Sequence, residues 1–385
     1  MIWVKSILTQ LWSRSIPSFI KQKRTNGCIC CTLREDLLVE VSKIASQGTF
    51  DYLLIESTGV SEPMPVAETF TFEDSTGLRL EDIAHLDTLV TVVDGSSFLS
   101  FFGFDNDNVR QMREEELCAE GDRTISHLLC DQVEFANVIV VNKCDLTSHQ
   151  KLQQVTVLIR TMNPTAKIVE STYSKVPLDA VMGTGLYSRL LYAERHEGWL
   201  KEARIGEHAP KTEEYGIGSF TYRSLKPFLP HKLHALLESI VVTPSGDHNK
   251  RQVLRAKGFV WLASAPQLQG EFSLAGNHFT VTPGNPWWAE IDKEHWPAGL
   301  ETAIAPLWHE PYGDRQQEIV IIGQSLNKEA LIEALNECLV SDDEMKFGQE
   351  VWNRMCSKAG DPFQEDWDAA ILQVLQQQPP PQQQK

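Results

Sequence analysis

The sequence predicts an α/β chain: a domain built on a parallel sheet, followed by a smaller α+β domain. Three observations carry that expectation. In the first half, short apolar runs that end in a polar residue alternate with helix-period segments, the pattern of a parallel sheet covered on both faces. In the second half, strands follow one another with few helices between them. The 385 residues accommodate about two domains at roughly 150 residues each.

Residues 1–25 carry Lys5, Arg14, Lys21, Lys23 and Arg24 and no acid, and Trp3, Ile7, Leu8, Leu11 and Trp12 trace a loose helical face. They read as a mitochondrial presequence or as a non-native start, and the second reading is preferred for a reason given below. Residues 26–195 form the first expected domain. Leu33, Leu37, Leu38, Val41, Ile44 and Ala45 make an amphipathic stripe closed by Gly48. Tyr52 to Ile55 reads as a buried strand running into Glu56-Ser57-Thr58-Gly59. Leu89 to Val93 is a second strand ending in Asp94, and residues 109–135 have a helical pattern. Val138 to Val141 is a third strand ending in Asn142. Leu152 to Met162 is a helix stopped by Asn163-Pro164, and Lys167 to Val169 is a short fourth strand. Ligands of such sheets bind beyond the carboxyl ends of the strands, where Glu56, Asp94, Asn142 and Asp145 are expected.

Residues 196–215 read as a linker. The second domain, 216–341, is expected to hold strands at Ser219–Tyr222, Arg255–Leu262 and Glu318–Ile322, a hairpin over 270–282, and helices over 231–241 and Lys328–Leu339. Residues 342–385 read as a helical appendix with a Gln/Pro-rich tail whose composition cannot form a core.

The net charge of −17 argues against nucleic acid and anionic membrane as partners. No apolar run approaches the ~18 residues that span a bilayer. Three of the eight cysteines occupy four positions, so a thiolate site in a cytoplasmic protein fits better than a spaced disulfide framework.

Three motifs carry chemistry. Asn142-Lys143-Cys144-Asp145 matches the NKxD element of GTP-binding domains. The Asp145 carboxylate would accept from the guanine ring N–H and exocyclic amine, a donor pair adenine lacks. Asn142 would brace neighbouring loops, and the Lys143 stem would pack over the base. The same four residues also make an ordinary polar turn. Glu56-Ser57-Thr58-Gly59 has the spacing of a strand-end acid that orients water on Mg²⁺ and a Gly amide that meets a γ-phosphate, and it reads equally as a plain turn. Gly27-Cys28-Ile29-Cys30-Cys31 offers three soft thiolates for Zn²⁺ or a similar ion, with one tetrahedral position open for transfer. Buried structural cysteines or a redox switch are the alternatives. Cys118, Cys130, Cys144, Cys338 and Cys356 are scattered and read as plain thiols. His231 and His234 fit a capping or surface role, and Trp287-Trp288 fits domain packing.

Taken together these stretches resemble the CobW-like family of metal-handling P-loop GTPases, the zinc and cobalt metallochaperones. Asn26 to Cys31, Ile55 to Pro63, Val93-Asp94 and Gln132 to Leu146 carry the resemblance, and residues 216–340, with Arg255 to Trp261, resemble the family's C-terminal domain. Pro65 to Phe70 and Pro286 to Ala289 look like the zinc-associated branch. The resemblance implies a P-loop GTPase-type fold and a GTPase that delivers zinc to a client metalloprotein, with Zn²⁺ (or Co²⁺), GTP and Mg²⁺ as ligands. It implies that Cys28, Cys30 and Cys31 bind the metal, that Asn142, Lys143 and Asp145 select guanine, and that Glu56 and Gly59 read the γ-phosphate and Mg²⁺. The family's G-x-x-x-x-G-K-[ST] loop is absent from this sequence. That departure favours an N-terminally truncated or non-native start, an uncovered inner strand edge, and weak GTP binding with little hydrolysis. Two rival readings follow: a nucleotide-incompetent metal- or partner-binding protein, and a cobalt carrier for cofactor assembly.

Overall fold

A computed structural model describes residues 41, 51–56, 63–70, 79–102, 124–188, 214–241, 253–364, 367–368 and 370–371. The chain divides into two compact units, residues 1–199 and 200–385.

In the first unit a short helix α1 (Pro63–Thr69) precedes strand β1 (Val90–Asp94). Helix α2 (Ile125–Glu134), strand β2 (Val138–Asn142), helix α3 (His149–Met162) and strand β3 (Lys167–Glu170) follow. The strands form a parallel sheet in the order β1-β2-β3. Every residue of β2 is buried, as expected for a central strand covered on both faces. Thr124 caps α2 and Ser148 caps α3, each hydroxyl accepting from the N3 backbone N–H. Leu152, Val155, Leu158, Ile159 and Met162 are the buried stripe of α3.

One expectation meets a different structure here. Tyr52 to Ile55 is not a strand. Tyr52, Leu53 and Leu54 are exposed, and Ile55 packs beside Val41, Phe70 and Leu80. The physical reason is pairing: apolar side chains favour a strand only where a ladder partner satisfies the backbone, and no described strand lies alongside. The outer edge of β1 has no strand partner among the described residues. Of the helix expected over 109–135, residues 125–134 are helical and 109–123 lie outside the described residues.

The second unit opens with β4 (Ile217–Ser224) and α4 (Pro230–Val241), then β5 (Val253–Val260), β6 (Leu268–Ala275) and β7 (His278–Pro286). A short helix α5 (Leu300–Ile304), strand β8 (Gln317–Gln324), and helices α6 (Lys328–Glu337), α7 (Asp342–Met345) and α8 (Gln349–Ala359) complete it. The sheet is antiparallel with order β4-β8-β5-β6-β7. Alternation on its strands sends Tyr222, Ala256, Phe272, Ile319 and Ile321 into one core, where Leu233, Leu237 and Leu335 of the helices meet them. Gly258 permits the closest approach in the sheet: a Cβ there would sit 2.0 Å from the Glu318 carbonyl oxygen. Gln317, fully buried, accepts from the Trp261 N–H at 2.9 Å and donates to the Lys226 and Trp261 carbonyls at 2.8 Å each.

Residues of the expected appendix contribute to the core. Trp352 of α8 packs with Trp261 and Tyr312 at centroid separations of 5.9 and 5.8 Å, and Trp367 joins the main core. Trp287 is buried in the same aromatic cluster, in line with a packing role.

Candidate functional site

The parallel pairing of β1 with β2 sets Asp94 directly beside Asn142 at the carboxyl edge of the sheet. Around this pair the strand-end loops are tied together. The Asn142 amide donates to Ser174 Oγ at 2.9 Å, and the Ser174 backbone N–H returns a bond to Asn142 Oδ1 at 2.9 Å. Both residues are buried. Asn142 therefore braces the loop after β3, as the motif predicts. The loop between β3 and Ser174 closes on the same edge through Ser171, whose N–H donates to the Val141 carbonyl and whose own carbonyl accepts from the Cys144 N–H.

Lys143 adopts the left-handed conformation, φ 60° and ψ 34°. This aims its side chain back across the sheet edge, where Nζ lies 2.6 Å from Asp94 Oδ2. Asp94 Oδ1 accepts from the Ser96 backbone N–H at 2.9 Å and from Ser96 Oγ at 2.6 Å. Gly95 donates its N–H to the Asn142 carbonyl at 2.9 Å, an approach a Cβ would crowd at 3.1 Å from Val141 Cγ1. Asp145, in the short turn that follows Lys143, is exposed.

Electrostatics follow from these contacts. Burial acts to raise the Asp94 pKa, but the bonds from Lys143 and Ser96 outweigh it and hold the carboxyl below its ordinary value of 3.8. A lowered carboxylate stabilises the folded state above its ordinary value, and that contribution is lost as the pH falls through the lower folded value. Asp94→Asn is therefore expected to destabilise the chain at neutral pH by about 1–2 kcal/mol, with the difference from the parent shrinking below about pH 4. Urea unfolding at neutral and acid pH measures it, and a difference independent of pH would refute it. Burial likewise pushes the Cys144 thiol up, opposed by the contact with Ser171 and aided by the Glu170 and Asp145 carboxylates. Its Sγ donates to the Val141 carbonyl at 3.1 Å, so it is a packed thiol, as its scatter suggested.

Glu56 is not at a strand end. It is exposed, in the irregular segment 51–56, because the strand expected to carry it does not form. Gly59, Cys28, Cys30 and Cys31 lie outside the described residues. Among the described residues no group of three His, Cys, Asp or Glu side chains could hold a metal ion, and Cys130, Cys144, Cys338 and Cys356 are free thiols. His234 sits edge-on to Phe279 and Phe363 at 5.5 and 5.6 Å, a packing role. Sequence reasoning placed Asp94 at the strand end but missed its hold on Lys143, and it missed Ser96 and Ser174 altogether. The Ser-Thr-Tyr-Ser run straight after β3 was the available signal.

Comparison with known proteins assigns the family. Residues 19–170 match the CobW/HypB/UreG nucleotide-binding domain, and residues 217–339 match the cobalamin synthesis protein cobW C-terminal domain. Over 333 residues, 85% of this chain and 68% of the relative, the sequence is 44% identical to zinc-regulated GTPase metalloprotein activator 1 of Dictyostelium discoideum. The chain belongs to the CobW family. Two further CobW-family relatives are more distant. The zinc-regulated GTPase metalloprotein activator 1 of Schizosaccharomyces pombe is 33% identical over 40% of this chain and 31% of that protein. The zinc chaperone CobW of Pseudomonas aeruginosa is 27% identical over 43% of this chain and 44% of that protein. The braced edge formed by Asp94, Asn142, Lys143 and Ser174 lies in or just beyond the region matched to the CobW nucleotide-binding domain.

Proposed function

We propose that this chain is a zinc metallochaperone of the CobW family whose metal handling is governed by guanine nucleotide, with a client metalloprotein as the recipient. One observation carries the nucleotide half: a double hydrogen bond and an ion pair fix Asn142 and Lys143 at the sheet edge while Asp145 is left open. A rigid frame around one open carboxylate is what recognition of a paired ring N–H and amine needs. The metal half rests on the three thiolates Cys28, Cys30 and Cys31, soft ligands with a free fourth position. The names of the CobW relatives support both halves.

Zinc is cargo here, and Mg²⁺ would accompany the triphosphate, neutralising its charge. The residues that carry this reading would meet the base, and a G-x-x-x-x-G-K-[ST] loop, whose backbone amides would cradle the phosphates, does not occur among them. No described helix is long and apolar enough to cross a membrane, and the free thiols suit a reducing compartment, which supports a cytoplasmic setting.

Saturation-transfer NMR with GDP and ADP tests the reading. GDP is expected to bind the chain at least about tenfold better than ADP, and Asp145→Ala to erase that preference. Equal binding of the two bases would overturn the guanine site. Absence of both, with zinc binding intact, would favour a nucleotide-incompetent carrier.

A further inference from the structure

We infer that Ser341 is a phosphorylation site and that Lys226 and Lys232 receive its phosphate. Ser341-Asp342-Asp343-Glu344 forms a capping box at the start of α7. Ser341 Oγ donates to Glu344 Oε2 at 2.6 Å, and the Ser341 N–H donates to the same oxygen at 2.8 Å. The hydroxyl is nevertheless exposed, and acids follow it at the next three positions. A serine with that acidic trail is complementary to the basic substrate groove of an acidic-directed protein kinase.

The lysines make the site more than an accessible hydroxyl. Ser341, Lys226 and Lys232 line one pocket of about 550 Å³, which Ser224 and Asn336 help to complete. Its walls are fixed: the Val340 N–H donates to the Pro227 carbonyl at 2.9 Å, and the Leu229 N–H to the Cys338 carbonyl at 2.8 Å. Both ammonium groups hold exposed partners that a phosphate can replace. Lys226 Nζ is 2.6 Å from Asp342 Oδ1, whose side chain is 84% exposed, and Lys232 Nζ donates to the Glu337 carbonyl at 3.2 Å. Glu337, Asp342, Asp343, Glu344 and Lys346 are the other charges of this corner.

In the transfer, Ser341 Oγ attacks the γ-phosphorus of the nucleoside triphosphate held by the kinase. The Oγ–P bond forms and the bond from phosphorus to the β–γ bridging oxygen breaks. Nucleoside diphosphate leaves, and the hydroxyl proton passes to the kinase's base. The product cannot donate to Glu344, and its dianion repels that carboxylate, so it turns to the two lysines. This ties the chain after β4 and the start of α4 to the segment that enters α7. That segment is the connection to the aromatic trio, because the Glu344 carbonyl accepts from Trp352 Nε1 and the Met345 carbonyl from the Tyr312 hydroxyl.

The test treats the full chain with an acidic-directed casein kinase and ATP, maps the phosphate by tandem mass spectrometry, and titrates it by phosphorus NMR. Ser341 is expected to carry the main phosphate, with none there in Ser341→Ala. Its second ionisation should fall below the ordinary ~6 and rise by about half a unit or more in Lys226→Ala/Lys232→Ala. A chain left unmodified at Ser341 overturns the site, whether or not a peptide spanning 336–347 accepts phosphate. A phosphoserine that titrates identically with and without the lysines overturns the receiving pocket. Circular dichroism of both variants confirms that each is folded before either result is read.

Discussion

Zinc affinity of this chain is expected to fall by on the order of a thousandfold when Cys28→Ser, Cys30→Ser and Cys31→Ser are combined. The expectation follows from ligand chemistry. Thiolate is a soft, anionic donor that binds Zn²⁺ at roughly 2.3 Å, while a serine hydroxyl stays protonated at neutral pH and binds as a weak neutral oxygen. Cys28 and Cys30 would share one side if the segment were extended, and Cys31 is next to them in sequence. Competition with a chromophoric chelator under reducing conditions measures the loss. Cobalt substitution counts the thiolates through their near-ultraviolet charge-transfer bands and compares Co²⁺ with Zn²⁺ in the same sample. If the triple variant holds zinc as tightly as the parent, the thiolate site is wrong and the metal must be sought elsewhere.

The second large effect is structural. Asn163→Ala is expected to destabilise the first unit by about 3–5 kcal/mol. Asn163 is buried, and its amide nitrogen lies 2.8, 3.1 and 2.9 Å from the carbonyl oxygens of Val133, Glu134 and Ala136. Its Oδ1 accepts from the Thr165 N–H, the Thr165 hydroxyl and the Ala166 N–H at 3.2, 3.0 and 3.0 Å. One side chain thus satisfies the end of α2, the turn into β2 and the turn into β3. Alanine removes all of these bonds at once and takes from the buried Ala166 N–H its Asn163 acceptor, which costs more than the net worth of that bond. Urea unfolding measures the change, with Asn163→Asp as the informative companion: it keeps the acceptor oxygens and loses the donor. A loss under about 1 kcal/mol for alanine would mean that water replaces the amide fully.

Much of this was legible beforehand. Val138 to Val141 reads as a fully buried strand because a run of β-branched residues can face apolar neighbours on both sides, and all of β2 is buried. Asn163-Pro164 was legible as a helix stop, since proline excludes the helical conformation from the residue before it. What Asn163 then does with its side chain was not, because its partners are carbonyls 27 to 30 positions away. The Tyr52 to Ile55 run misled for the same reason in reverse. Strand propensity is a statement about a pleated, half-buried setting, and these residues lack a described neighbouring strand to supply it.

The candidate site divides in the same way. The sequence by itself determined the residue types: an acid and an amide at adjacent strand ends, a lysine and a second acid just beyond, three thiolates in four positions, and the family they signify. These are properties of composition and spacing, which the covalent chain alone carries. Only the tertiary structure decided that Asp94 reaches Lys143 across 49 positions and that Ser174 reaches Asn142 across 32. It also decided that Lys226 and Lys232 face Ser341 across one pocket. Contacts between residues so far apart are set by strand register and loop closure, and those exist only once the sheets have formed.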